Sequence, residues 1–250
     1  MRPSSCKILM LLSVFILSSC SLFVSEPLRV GVAASYPPVI FKSNGELRGI
    51  EVDFAHALAE ELGRPVEFVE LPFREMISSL QEDKIDIIMS GMSITINRSF
   101  VVNFLPAYLD VNQMFLIRKG ELDQFGKIGS EGFLRPKHKV GVLEETTGAD
   151  FISSSFGENA VTSFSDRGEV FKALAKKEID CFVDDSPLAK YTAQQDASVL
   201  AIEWGGASEG LAWAVRAEQI KFHRKIWSIY MKWKKNGTIE KIVAKWLNEK

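Results

Sequence analysis

The sequence predicts an α/β protein made of two lobes of similar design, each built around a parallel sheet. Three observations carry that expectation. Apolar runs of strand character alternate with helical periodicity over 28–89 and again over 139–183, the pattern of strands joined by crossover helices. The two stretches echo each other: Arg29-Val30-Gly31-Val32 returns as Lys139-Val140-Gly141-Val142, and Leu80 with Ile85-Asp86 returns as Leu174 with Ile179-Asp180. The chain also leaves the first unit through 111–117 and comes back through 203–210, which gives two connections between the lobes.

Each element has its own local reason. Leu28-Arg29-Val30-Gly31-Val32-Ala33 reads as the first strand, and Ser35-Tyr36-Pro37-Pro38 stops it because proline cannot continue a ladder. Asn44-Gly45, between Phe41 and Leu47, signals a hairpin turn. Over 51–62, Phe54, Ala55, Leu58, Ala59 and Leu62 share one helical stripe, and Gly63 stands just past its end. A strand over 66–69, a short helix over 73–81 and the Ile/Met-rich strand 85–89 complete the first unit. The second unit runs as strand 139–143, helix 147–155, strand 160–164, helix 167–177 and strand 179–183. After the return come a strand over 211–215 and a long helix over 218–235, with Ile220, Ile226, Trp227, Ile229, Tyr230 and Trp233 as its apolar members. Asn236-Gly237 ends that helix, and a last one buries Ile242, Val243, Trp246 and Leu247. The aromatic stripe is read as core rather than as a ligand platform.

At 250 residues, 46% apolar, 25% charged and net charge −2, the composition is that of a soluble globular chain of one large or two ordinary domains. No basic run is long enough to trace a phosphate backbone, so nucleic acid is not an expected partner. Residues 1–20 differ in kind. Arg2 and Lys7 flank the start of an apolar run over 8–17, too short to span a bilayer and right for a signal-peptide core. It ends in Leu17-Ser18-Ser19-Cys20, which resembles the bacterial lipobox, where the cysteine is lipidated and becomes the mature N-terminus. Ordinary signal cleavage nearby is the alternative. Residues 21–26 then form a tether. With Cys6 in the signal and Cys20 lipidated, Cys181 alone remains in the body, where its apolar neighbours make it a buried small hydrophobe. His56, His138 and His223 share no ligand spacing, so no metal or cofactor site is expected.

In open parallel sheets, ligands bind beyond the carboxyl ends of the strands. Behind the strand 85–89 stands Gly91-Met92-Ser93-Ile94-Thr95-Ile96-Asn97-Arg98. Hydroxyls from Ser93 and Thr95, free amides of a helix start and the planar five-donor fork of Arg98 would together clamp a carboxylate. The same spacing fits a Ser/Thr cap followed by a surface arginine. In the second unit, Glu144, Thr146, Thr147 and Gly148 follow the first strand, and Asp184-Asp185-Ser186-Pro187 follow the third. One unit thus offers a cation and the other offers carboxylates, which suits a zwitterion held between them. Asp185 is the candidate for an α-ammonium, with helix capping by Asp184 and Asp185 as the alternative. Tyr36 and Phe73 are candidates to flank a side-chain stem, and core packing competes for Phe73. No nucleophile elbow, His-Glu-x-x-His or phosphate-cradling loop is present, so the sequence favours a binder over a catalyst.

Tyr36-Pro37-Pro38, Gly49-Ile50-Glu51-Val52-Asp53, the run Lys84–Thr95, Arg98 and Val140–Thr147, together with the signal and lipobox, resemble the family 3 extracellular solute-binding proteins, the polar amino-acid receptors of ABC importers. The resemblance covers roughly 27–249 and implies a two-lobed periplasmic-binding-protein type II fold with two hinge segments. It implies a first lobe of 27–110 plus 207–250, a second of 111–206, and closure of the two on the ligand. It implies that Arg98 with Ser93 holds the α-carboxylate of a free L-amino acid and Asp185 its α-ammonium. Gly91, Tyr36, Phe73 and Thr147 would line the site, with Met92 beside them. The expected setting is the periplasm or cell envelope, as a lipid-anchored monomer serving an ABC permease of the inner membrane.

One departure bears on the substrate. Many members carry an aspartate where this chain has Ala33, whereas Glu144 and Asp184 add negative charge to the second lobe. Uncompensated buried carboxylates are costly, so arginine or lysine is one expected ligand, and glutamine the other if those acids face solvent. The alternatives in other classes are a cleft enzyme resembling cyclic-acid dehydratases, with Glu144 or Asp184 recruited as acid or base, and a surface adhesin or sensor lipoprotein.

Overall fold

In a computed structural model the described residues are 25–130, 132–135, 137–157, 161–204 and 208–247, so the signal, Cys20 and most of the tether lie outside them. The first unit opens with β1 (Leu28–Val32) and a small ribbon of β2 (Ser35–Tyr36), β3 (Ile40–Ser43) and β4 (Glu46–Arg48). Ser43 pairs with Glu46 across Asn44-Gly45, both at positive φ (53° and 83°), the two-residue turn whose twist suits a hairpin. Then follow α1 (Ile50–Leu62), β5 (Val66–Glu70), α2 (Met76–Gln81), β6 (Ile87–Ser93), α3 (Ile96–Ser99), β7 (Val102–Phe104) and β8 (Leu109–Val111). The second unit holds β9 (Gln113–Arg118), β10 (Val140–Leu143), α4 (Thr147–Phe156), β11 (Val161–Phe164), α5 (Arg167–Ala175), β12 (Cys181–Asp185), α6 (Ser186–Gln195) and β13 (Val199–Glu203). The chain closes with β14 (Glu209–Arg216), α7 (Ile220–Asn236) and α8 (Thr238–Leu247).

The strands form two main sheets, one per lobe. The first has the order β5-β1-β6-β14-β7, with β8 also on β14; the second has the order β11-β10-β12-β9-β13. In each, three parallel strands place the first in the middle, and an antiparallel strand joins on the side of the third. The sequence echo marks this shared build. A Cβ on Gly31 would collide with Ile85, and one on Gly141 with Ile179, so each glycine clears the same neighbour. Asp86 accepts the Arg29 N–H at 3.0 Å and Asp180 accepts the Lys139 N–H at 2.7 Å, capping the middle strand in both lobes.

The chain passes between sheets at Asn112, since Val111 still pairs with Glu209 in the first sheet and Gln113 already pairs with Asp185 in the second. It returns between β13 and β14. The first lobe's core centres on Phe54, Trp213, Tyr108 and Trp233, with ring centroids 5.1–6.3 Å apart. On α7, Ile226, Ile229, Tyr230 and Trp233 are buried as expected, whereas Trp227 and Ile220 face solvent. Edge strands β7, β8 and β13 have no counterpart in the sequence reading.

Candidate functional site

The run after Met89 does not turn at once, and its helix opens only at Ile96. Strand β6 continues to Ser93 because β14 pairs with it as far as Leu211↔Ser93 and Ala212↔Met92. Within it Gly91 has φ 63°, and a Cβ there would stand 2.6 Å from the Tyr36 ring, so only glycine fits. Its N–H is held by Glu51 Oε1 at 3.0 Å, which also receives the Tyr108 hydroxyl at 2.7 Å. Burial pushes Glu51 up to about 7, against the pull of those hydrogen bonds. Thr95 is a helix cap: its Oγ1 accepts the Arg98 N–H at 3.1 Å and opens the one-turn α3. The cap therefore leaves the Arg98 guanidinium free to turn toward the cleft. Alternation along β6 puts Gly91 and Ser93 on the cleft side and turns Met92 into the first lobe's core among Ile88, Val102 and Ala214, so Met92 is not a lining residue.

The guanidinium of Arg98 lies in the mouth between the lobes, 5.5 Å from the Phe73 ring centroid. It donates to the Ser93 carbonyl at 3.0 Å and, across the cleft, to the Glu145 carbonyl at 2.7 Å. Ser93 thus meets Arg98 through its backbone oxygen, and its side chain stays at the cavity wall. Burial lowers the Arg98 pKa, and the nearby acids Glu209, Asp150 and Asp185 work against that shift.

Opposite stands Asp185 at the end of β12, next to the start of α6, where Pro187 occupies the first turn. Its side chain makes no capping bond. It accepts the Tyr36 hydroxyl at 2.7 Å from the other lobe and Gln113 Nε2 at 2.6 Å. Burial, with Asp184 and Glu209 close by, pushes Asp185 up to about 7. Gln113 Nε2 also donates to Glu209 Oε1 at 2.5 Å, and Thr147 Oγ1 reaches the same oxygen at 3.0 Å.

Phe73, Gly91, Ser93, Arg98, Thr147 and Asp185 therefore meet around one cavity of about 20 Å³, room for about one water. Beside it an opening of about 430 Å³ runs past Ala33, Ser35 and Phe73. Two expectations about charge fail. Asp184 is buried but not uncompensated: Arg167 pairs with it at 2.7 Å, both residues about 5–6% exposed. Glu144 does not line the cavity; it sits on the exposed rim, 3.4 Å from Arg74 of the other lobe. The buried-carboxylate argument for a cationic ligand therefore falls.

The family model of the bacterial extracellular solute-binding proteins, family 3, matches residues 28–249. The chain belongs to this family. Its fold is that family's two-lobed type II arrangement, with the two main sheets as the lobes. It is 29% identical over 239 residues to a putative ABC transporter arginine-binding protein 2 of Escherichia coli K12, covering 92% of this chain and 95% of that one. Among solved structures, an ancestral amino acid-binding protein described as a precursor of cyclohexadienyl dehydratase is similar, with TM-score 0.81 and 34% identity over 89% of this chain and 96% of its own. An ancestral arginine-binding protein bound to glutamine gives TM-score 0.81 and 33% identity over 90% and 99%.

Three side chains in or beside this cavity have no counterpart in the sequence reading: Gln113, Arg167 and Glu209. Gln113 and Glu209 begin the strands that leave the two crossings, where no local pattern marks them. Arg167 stands just behind β11, so the rule that sites lie past strand ends reaches it once the second strand of that lobe is included.

Proposed function

We propose that this protein is the substrate-binding receptor of an amino-acid ABC transporter, capturing a polar α-amino acid, arginine or glutamine, by hinge closure. One observation carries the reading: a guanidinium from one lobe and a carboxylate from the other face a single cavity between them. Arg98 binds the α-carboxylate beside Ser93, and Asp185 binds the α-ammonium. Phe73, Gly91 and Thr147 wall the site, and Tyr36 stands behind Gly91 with its hydroxyl on Asp185. The E. coli relative is named for arginine, and the ancestral arginine-binding protein is described bound to glutamine, which supports that pair of candidates.

A ligand that bridges both lobes binds their closed arrangement better and shifts the population toward it. Micromolar capture needs about 8 kcal/mol, within reach of two buried charge-assisted anchors and an apolar wall. The lobes comprise 27–110 with 207–250, and 111–206. Cys20 carries a lipid that holds the receptor at the membrane beside its permease. The dehydratase alternative finds less support, because Glu144 lies on the rim and Asp184 is tied to Arg167, so neither acid is free in the cavity.

The test is calorimetric titration of the protein, unfolded and refolded to strip retained ligand, with arginine, lysine, histidine, glutamine and glutamate. Saturable binding to at least one supports the receptor. Silence from all five, or turnover of a cyclic acid, overturns it. Loss of membrane partitioning in Cys20→Ala checks the anchor.

A further inference from the structure

Arg167 is a buried cation that the two anchors leave without a task. It is the first residue of α5, where the Asp166 side chain caps the helix by accepting the Glu169 N–H at 3.2 Å. From there the guanidinium reaches into the cleft, with its Cζ 4.7 Å from the Tyr36 ring centroid of the opposite lobe. Nε and Nη2 are spent on Asp184, at 2.7 and 3.3 Å. Nη1 donates to no acceptor among the described residues, and it is not one of their fully buried unpartnered atoms, so it is the part of Arg167 left to face the cavity. The residue borders both the small cavity, which Arg98 and Asp185 also line, and the adjoining opening. Asp184 has little left to offer a cation, since its Oδ1 also accepts the Asp185 N–H at 2.8 Å. Ala33 brings no carboxylate to that opening, and of the two acids that line it Glu70 is paired with Lys42 at 2.8 Å and Asp166 caps α5.

We propose that Arg167 reads the side chain of the captured amino acid, donating from Nη1 to an uncharged carbonyl oxygen, so that glutamine is preferred to arginine and lysine. This rests on the reading of the cleft as an amino-acid site. A cationic side chain would meet a guanidinium held in place by its own ion pair. An acidic one would add a fourth carboxylate beside Asp184, Asp185 and Glu209. An amide oxygen satisfies the free donor without changing the charge of the cavity.

The experiment titrates the stripped wild type with glutamine, methionine and arginine. Methionine matches glutamine in length and lacks the acceptor. A buried hydrogen bond to a charged donor is worth a factor of about ten to a hundred, so glutamine should bind at least about tenfold tighter than either. Arg167→Met combined with Asp184→Asn removes both members of the ion pair, so that no buried charge is left alone. That variant should bind glutamine and methionine within about threefold of each other, still through Arg98 and Asp185. Arginine binding as tightly as glutamine in the wild type, or full retention of glutamine preference in the double variant, overturns the assignment and leaves the receptor standing. Binding of none of the three defeats this assignment, and the five-ligand titration then decides whether the receptor falls with it. If the double variant does not fold, the wild-type order of the three ligands decides.

Discussion

Asp185→Asn should pull stability and function in opposite directions. The carboxylate is buried, with Asp184 and Glu209 nearby, and its pKa stands at about 7 against an ordinary 3.8. For an acid whose pKa rises on folding, the folded state binds more protons than the unfolded one between those two values. Stability therefore falls as pH climbs from about 4 to 7 and stays reduced above it. The move from 3.8 to about 7 corresponds to roughly 4 kcal/mol against the ionised form. That figure is a ceiling, because parting the lobes hydrates the group. Asparagine escapes the cost. Its Oδ1 can still accept the Tyr36 hydroxyl, and Gln113, whose Oε1 has no partner, can turn its amide to accept from the new Nδ2. The ligand's ammonium, however, loses its counter-charge, a loss of about 2–5 kcal/mol of binding.

The assay is thermal unfolding of stripped protein at pH 4 and pH 8, followed by calorimetry with glutamine and arginine. The variant should melt several degrees above the wild type at pH 8, at about 2–4 °C per kcal/mol, and should show no such gain at pH 4. Affinity should drop about thirtyfold or more. A variant equally or less stable at pH 8, or one that binds as well as the wild type, would refute the placement of Asp185 as a buried ammonium partner.

Arg98→Ala removes the other anchor and should weaken amino-acid binding about 100-fold or more by calorimetry. Capture of an ammonium should return Asp185 to its ordinary range, so binding at pH 6 should release close to one proton, read from calorimetry in buffers of different ionisation enthalpy, and almost none at pH 8, where Asp185 is already ionised and the ligand still carries its ammonium. Glu51→Gln keeps acceptors for the Gly91 N–H and Tyr108 hydroxyl while removing a buried group whose pKa is about 7. It should raise the melting temperature at pH 8, leave it unchanged near pH 4, and alter affinity less than about threefold. Gly91→Ala drives a Cβ into the Tyr36 ring at positive φ, and should cost about 1–3 kcal/mol in denaturant melts and lower affinity by moving Tyr36.

What the sequence made legible follows from the range of the interactions concerned. The parallel units, the hairpin and the echo of Arg29–Val32 in Lys139–Val142 are short local patterns, legible in the sequence, whereas the Gly31/Ile85 and Gly141/Ile179 contacts beneath that echo emerge only in the fold. The place of Asp185 at the cavity is legible because it ends β12, and strand ends are where such sheets open onto a cleft. Met92 was misread although period two along β6 already separates it from Gly91 and Ser93. The turn expected after Met89 hid that alternation, and the strand that cancels the turn, β14, lies more than a hundred residues later. Asp184 was misjudged for the same reason. Its counter-ion is 17 residues away on a different element, and no spacing rule reports that pairing.

The contacts that hold the lobes together are also the contacts a ligand must replace. Gln113 Nε2 lies between Asp185 Oδ1 and Glu209 Oε1, at 2.6 and 2.5 Å, where a ligand ammonium would satisfy the same two carboxylates. Arg98 spends one donor on the Glu145 carbonyl across the cleft, the donor a ligand carboxylate would claim. Both anchors thus have stand-ins supplied by the chain itself. The observed affinity then reflects only the margin by which an amino acid outdoes them, and each substitution that weakens a stand-in without touching an anchor strengthens capture. Gln113 is the sharper case, because its amide is poorer than an ammonium beside two carboxylates and leaves its own oxygen unpaired. A zwitterion would correct both defects at once, and on the proposed function this is the physical reason the cleft would close more firmly on an amino acid than on itself.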